Sequence, residues 1–124
     1  MLEIAPEDFL ASFNRNCLGA LLCTQAVLPR MIAAEGTVSN AKGAAKKGTI
    51  LYTSATSAFR STAKSAQVAC AKAALRMLSQ AVAKEHGKQG VHAVHIRMDC
   101  TFESPRNEKM FTAGGMGEMC EKLA

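Results

Sequence analysis

The sequence predicts an α/β fold with parallel strands, and three observations predict it. A long helical pattern over residues 6–34 is followed by a short β-branched and apolar run at Thr49–Thr53. A second helical pattern, alanine-rich, covers residues 66–86 and is followed by another short apolar run at Val91–Met98. The second helix is long enough to cross between two strands running in the same direction, and such crossovers are right-handed. At 124 residues, 48% of them hydrophobic and 20% charged, the chain is expected to form one ordered domain over 1–124.

Each element follows from its residues. Over 6–34, Pro6 suits a first helical position, Glu7 and Asp8 complement the positive end of the helix dipole, and Phe9, Phe13, Cys17, Leu21, Thr24 and Leu28 recur at three and four. Leu10, Leu18, Leu22 and Val27 make the opposite side apolar too, so cover on more than one side is expected. Pro29 is expected to end or kink this helix and to leave Arg30–Ala34 as a frayed last turn. Gly36–Gly48 is rich in Gly, Ala, Ser, Asn and Lys without apolar period, and reads as an exposed, mobile loop, an insertion over 36–48. Thr49–Thr53 lacks clean alternation, as in a strand buried on both faces. Ser54–Lys64 is a loop. Ala66–His86 is the second helix, with Ala69, Ala73, Leu75, Leu78, Val82 and Ala83 on its apolar side and Gly87 and Gly90 to stop it. Pro105–Ala124 reads as loop with one or two short helices. Two strands under one layer of helices leave sheet edges and apolar helix faces open, so such a unit needs further cover.

Charge and cysteine use narrow the partners. No acid occurs between Glu35 and Glu85, whereas Lys42, Lys46, Lys47, Arg60, Lys64, Lys72, Arg76 and Lys84 fall there within a net charge of +5. A one-sign field attracts nucleic acid or another anion, but no aromatic residues interleave with the lysines as stacking platforms, so a solvated basic face is favoured and nucleic acid is not expected. No apolar run reaches the length of a membrane span, and Met1–Ala11 has acids where a signal peptide needs bases, so no membrane partner is expected. Cysteines 17, 23, 70, 100 and 120 are odd in number and form no C-x-x-C pair, which predicts a cytoplasmic chain with mostly buried, reduced thiols. His92 and His95, three apart on a strand, face opposite sides, and no metal site is expected from them. Gly114-Gly115-Met116-Gly117 has no strand before it and reads as a hinge.

Four motifs then stand in a telling order. Asn16-Cys17-Leu18-Gly19 is followed by Leu28-Pro29-Arg30-Met31; next come Gly48-Thr49-Ile50-Leu51-Tyr52-Thr53-Ser54-Ala55, Val68-Ala69-Cys70-Ala71-Lys72-Ala73-Ala74-Leu75, and Ala83-Lys84-Glu85 with Gly90-Val91-His92. Together they resemble the second half of a short-chain dehydrogenase/reductase: its N-x-x-G and L-P-x-M helix, its G-x-I-V serine strand, its Y-x-x-x-K helix, and its A-x-E helix end with the following strand. The resemblance runs from about Glu7 to Pro105, most of this chain but about half of a family member, and implies a partial Rossmann fold.

In that family Tyr donates a proton as hydride arrives, Lys lowers its pKa and holds the nicotinamide ribose, Ser steadies the carbonyl, and Asn orders a relay water. Carried over by position, Lys72 is the lysine and Asn16 the asparagine, while Val68 stands where the tyrosine belongs and Ala55 where the serine belongs. Neither donates a proton, so the resemblance is to an atypical branch that has lost both, and the expected protein is an inactive or weakly active oxidoreductase homologue. Tyr52, the only tyrosine, reads as a packed strand residue rather than a displaced acid. The resemblance implies NAD or NADP through Lys72 and through Ser104, aligned with a threonine near the nicotinamide. The family's P-G aligns with Asp99-Cys100. The G-x-x-x-G-x-G turn that cradles pyrophosphate is absent, so tight binding to this chain is not expected. The family's dimer bundle implies a homo-oligomer through helices 6–34 and 66–86. Two alternatives stay open: a dimerising interaction module whose basic loop takes an anionic partner, or part of a full-length NAD(P)-dependent oxidoreductase whose first strands lie upstream of Met1.

Overall fold

The computed structural model describes residues 3–36, 38–39 and 45–99. It is an α/β arrangement in the predicted order: α1 (Pro6–Phe13), a π-helical turn (Asn14–Leu18), α2 (Gly19–Ala33), β1 (Val38–Ser39), β2 (Ala45–Lys46), β3 (Gly48–Ser54), α3 (Ala66–His86) and β4 (Val91–Arg97). Pro105–Ala124, Ser104, the hinge at 114–117 and Cys100 and Cys120 lie outside the described residues.

From Pro6 to Ala33 the chain is helical throughout. Pro29 does not end it: the helix runs on to Ala33, and the Ala34 N–H still donates to the Arg30 carbonyl at 3.1 Å. The reason is position. Pro29 and Gln25, whose carbonyl the ring deprives of its donor, are both exposed, on a side of the helix open to solvent, where a lost backbone bond costs least. The same stretch is long and apolar enough, by length and composition, to cross a membrane. This corrects the reading that no run reaches that length; isolated arginines at 15 and 30 interrupt the apolar run without lowering its average below that of a span. In the fold the helix packs on other elements. Ser12 donates to the Gln67 carbonyl on α3 at 3.3 Å, and Thr24 meets Tyr52 of β3.

Within the segment expected to be an aperiodic loop, β1 and β2 pair antiparallel, Val38 opposite Lys46 and Ser39 opposite Ala45. β3 and β4 pair in parallel with unbroken register from Gly48 opposite Val91 to Ser54 opposite Arg97. Bonds at both ends close this ladder: Lys47 N–H to the Gly90 carbonyl at 2.9 Å, and Met98 N–H to the Ser54 carbonyl at 3.0 Å.

Side chains alternate along β3. Ile50, Tyr52 and Ser54 point to the helix-covered face, where Tyr52, Leu75 and Val82 form the core with Ala20, Ile50, Leu78 and Ala93 against them. Thr49, Leu51 and Thr53 are exposed. The expectation of a strand buried on both faces is therefore corrected: Leu51 is 59% exposed, because α2 and α3 both supply the face that holds Tyr52. Ala71 and Ser79, small residues, share the buried side of α3 with Leu75 and Val82, and Ser79 turns its hydroxyl back to the Arg76 carbonyl at 2.7 Å. The thiols are less buried than expected. Cys23 and Cys70 are exposed, and half-buried Cys17 has its pKa raised by burial. Cys23 borders the open space between α2 and β3, and Cys70 lies on a side of α3 that stays exposed; an apolar residue on a helix is buried only if that side meets a neighbour.

Candidate functional site: a groove beside the outer edge of β3

α2 runs back along β3. Met31 lies against Gly48, Thr24 against Tyr52, and the π turn with Arg15 and Asn16 reaches the Thr53 end. Between α2 and the strand a groove of about 650 Å³ remains, completed by Lys72 and Leu75 from α3. Its polar end holds Arg15, Asn16, Thr53 and Lys72; its apolar length is formed by residues of α2 such as Val27 and Met31.

The π turn shapes the polar end. Its wider bond, Gly19 N–H to the Asn14 carbonyl, accommodates one extra residue, and such bulges recur at functional positions. Asn16 donates its side-chain N–H to the Ser12 carbonyl at 2.9 Å, which anchors the amide and leaves its oxygen as an acceptor at the groove. Asn16 and Lys72 are thus brought to one end of one groove, although 56 positions apart in sequence. Lys72 is half-buried on α3 and has no ion-pair partner among the described residues.

Ala55 and Val68 are not brought into it. Ala55 is extended (φ −143°, ψ 175°) and leads into the 3₁₀ turn Thr56–Ala58, and Val68 is 41% exposed one helical turn before Lys72. Tyr52 is 4% exposed, and its hydroxyl lies 2.7 Å from Thr24 Oγ1. Because Thr24 spends its own proton on the Ala20 carbonyl at 2.7 Å, Tyr52 is the donor in this pair. The tyrosine is a packed strand residue.

Beyond the C-terminal ends of β3 and β4 lies a second polar cluster. Asp99 accepts from the Thr56 N–H at 2.8 Å and from the Thr56 hydroxyl, and pairs with Arg97 Nε at 2.8 Å. Thr56's hydroxyl bond leads the effects that hold the Asp99 pKa below the usual carboxylate value. The exposed Phe59 ring has the Arg76 guanidinium 4.4 Å from its centroid and that of Arg97 at 5.6 Å, with the His95 ring edge-on at 5.7 Å. His92, by contrast, is exposed, so the two histidines face opposite sides as their spacing predicts.

His95 has its pKa lowered from 6.5, first by burial and then by the charges of Arg76 and Lys72, and its Nε2 is buried without a partner among the described residues. A histidine neutral in the fold takes up its proton more readily when unfolded. Its contribution to stability is therefore complete above the unfolded value of 6.5 and is lost as pH falls from there toward the folded value. We expect the urea midpoint to drop between pH 7.5 and 5.5, and His95→Gln to flatten that drop; equal slopes for both proteins would remove His95 as the cause. Sequence reasoning missed this cluster, since Thr56, Phe59 and Asp99 carry no local motif that joins them.

With this geometry in place, the comparison with known families is decisive: the model of the short-chain dehydrogenase family matches residues 1–111. The chain belongs to that family. No curated protein matches it at a significant level. Its parallel strands and covering helices accord with the Rossmann-like fold of short-chain dehydrogenases, a family that in general binds NAD(P). The described residues do not fit a whole dinucleotide. Pyrophosphate needs glycine-assisted approach to free N–H groups at a helix start. α1 begins with Pro6, which has no N–H, followed by the acids Glu7 and Asp8, and the segment from Ala55 to Ser65 that leads from β3 into α3 contains no glycine. Lys72 and the Asn16 oxygen remain as polar groups for a smaller ligand.

Proposed function

We propose that this short-chain dehydrogenase homologue does not reduce carbonyls by itself and acts as a self-associating cytoplasmic protein. One observation carries the first part. Hydride addition to a carbonyl is completed by a proton donor that reaches the substrate oxygen; in the family pattern that donor is a tyrosine, and the chain's only tyrosine has its hydroxyl committed to Thr24 inside the core. Val68 and Ala55, at the positions where the family pattern has the acid and the oxygen-holding serine, have no exchangeable side-chain proton. Of the neighbouring hydroxyls, Ser54 is buried and Thr56 is bound to Asp99. Self-association is supported by the apolar residues left exposed on the two long helical stretches: Leu10, Leu18 and Leu22 on one, Val68 and Met77 on the other.

Two readouts on one preparation test this. Incubated with NADH or NADPH and a panel of aldehydes and ketones, the chain is expected to oxidise no cofactor above the protein-free rate, and turnover by the unaltered protein would overturn the proposal. In sedimentation at tens of micromolar a dimer is expected, and a clean monomer would refute self-association.

A further inference from the structure

Between β3 and α3 the chain crosses the C-terminal end of the sheet as the segment Ala55–Ser65. Its first part is anchored: Thr56 is tied to Asp99 through both its N–H and its hydroxyl, and Ala58 is buried in the 3₁₀ turn. Beyond that turn, Phe59–Lys64 are exposed. Two backbone bonds shape the start of this stretch, from the Phe59 and Arg60 N–H groups to the Thr56 carbonyl at 2.9 and 3.1 Å. Its last residue, Lys64, stands at φ 65°, a left-handed conformation that is unfavourable for a residue with a Cβ. The Phe59 ring returns the stretch to the body of the fold, against Arg76 of α3 and against His95 and Arg97 of β4.

The groups around His95 make its proton the variable in this contact. Its ring lies on the helix-covered face, opposite Tyr52 in register. α3 brings Lys72 and Arg76, whose charges both act on it, β4 brings Arg97 two residues on, and the segment brings Arg60 beside Phe59. From β3 come Tyr52 and Ser54, which carry no charge near neutral pH. Asp99, the acid that follows β4, is bound to Thr56 and Arg97 and is not among the charges that act on His95. A neutral imidazole sits edge-on to the phenyl ring without electrostatic cost. An imidazolium in its place is a third cation beside Arg76 and Arg97, in a half-buried position with no carboxylate to pair with, and it gains by reaching water.

We propose that the Phe59 contact is an acid-sensitive latch: with His95 neutral the ring holds residues 59–64 on the end of the sheet, and protonation of His95 releases them while Thr56 stays tied to Asp99. Two titrating groups divide the work. The closed arrangement lowers the His95 pKa from 6.5, so it is favoured above that value and loses ground as pH falls below it. Asp99, held below the usual carboxylate value chiefly by the Thr56 hydroxyl, keeps its charge over the same range, so the opening stops at Thr56. Release bares Arg76 and His95 one helical turn from Lys72. It goes beyond the loss of global stability expected from the same histidine, because the sheet stays intact, and it does not depend on whether the chain reduces carbonyls or self-associates.

Amide hydrogen exchange of the full chain, followed by NMR between pH 7.5 and 5.5 and corrected for its intrinsic pH dependence, separates release from unfolding. Protection of the Phe59 and Arg60 amides should fall about fivefold over that range. The Thr56 amide, bonded to Asp99, and the Met98 amide, bonded to the Ser54 carbonyl at 3.0 Å, should keep theirs. His95→Gln should abolish the fall at 59 and 60. Phe59→Ala, at a position 51% exposed and outside the core, should leave those two amides weakly protected at every pH. An equal fall at all four amides would mean unfolding rather than release and would overturn the proposal. So would an undiminished fall in His95→Gln, or a Phe59→Ala protein whose protection at Arg60 still follows pH.

Discussion

Replacing Tyr52 with alanine is expected to cost about 3–5 kcal/mol, enough to leave little folded protein in a domain of ordinary stability. Tyr52 is the largest residue of the buried core, packed with Leu75 of α3 and hydrogen-bonded to Thr24 of α2, so its removal takes away the centre of that packing. Subtler substitutions separate the ring from its hydroxyl. Thr24 gives its proton to the Ala20 carbonyl and accepts from Tyr52. In Tyr52→Phe the donor disappears and only an acceptor lone pair on an already bonded hydroxyl is left, at a cost of about 1 kcal/mol or less. In Thr24→Val the buried Tyr52 hydroxyl keeps its proton and loses its acceptor, which costs about 1–3 kcal/mol. Urea unfolding of the three variants should rank them Tyr52→Ala, Thr24→Val, Tyr52→Phe in decreasing damage; a Tyr52→Phe variant worse than Thr24→Val would reverse the direction of this hydrogen bond.

The same tyrosine shows how far the sequence can be read. A lone Tyr inside a β-branched run reads correctly as a packed strand residue, because strand patterning is local. Its partner, 28 positions earlier, carries no mark, since a threonine in an apolar helix looks the same whether it faces water or a tyrosine. α3 was legible almost to the residue: an alanine-rich helical period and glycines at 87 and 90 that stop it are local signals. Parallel pairing was legible from the length of the crossover. The one-sided cover of β3 was not, because the pairing rule presumes helices on both faces and the pattern Thr-Ile-Leu-Tyr-Thr does not say which ones arrive. Pro29 misled for a related reason. A proline's cost depends on whether the carbonyl it strands can reach water, and that is a property of the fold. At the site, Asn16 and Lys72 were connected through family resemblance alone; the π turn that brings Asn16 to the groove has no residue signature of its own.

Gly90 joins the two halves of the fold, and Gly90→Ala is expected to be the most damaging single-methyl change in the chain. The residue sits at φ 88°, after the 3₁₀ turn Gly87–Gln89, in the left-handed region that costs an L-residue about 1–2 kcal/mol. A Cβ there would also overlap the carbonyl oxygen of Ala45, a backbone atom that moves only if β2 moves with it. The strain does not stay local, because the Gly90 carbonyl accepts the Lys47 N–H and so joins the approach to β3 with the start of β4. Pushing β2 away pulls on Lys47, the residue between β2 and β3. Gly90→Asn separates the two costs: asparagine tolerates the left-handed backbone but carries the same Cβ, so it should recover the conformational part and leave the steric part. Hydrogen exchange at the Lys47 amide reads the steric part directly. It should accelerate in both variants by similar factors, while the urea midpoint falls further for alanine than for asparagine; unchanged exchange at Lys47 would mean that β2 absorbs the methyl without disturbing the strand register.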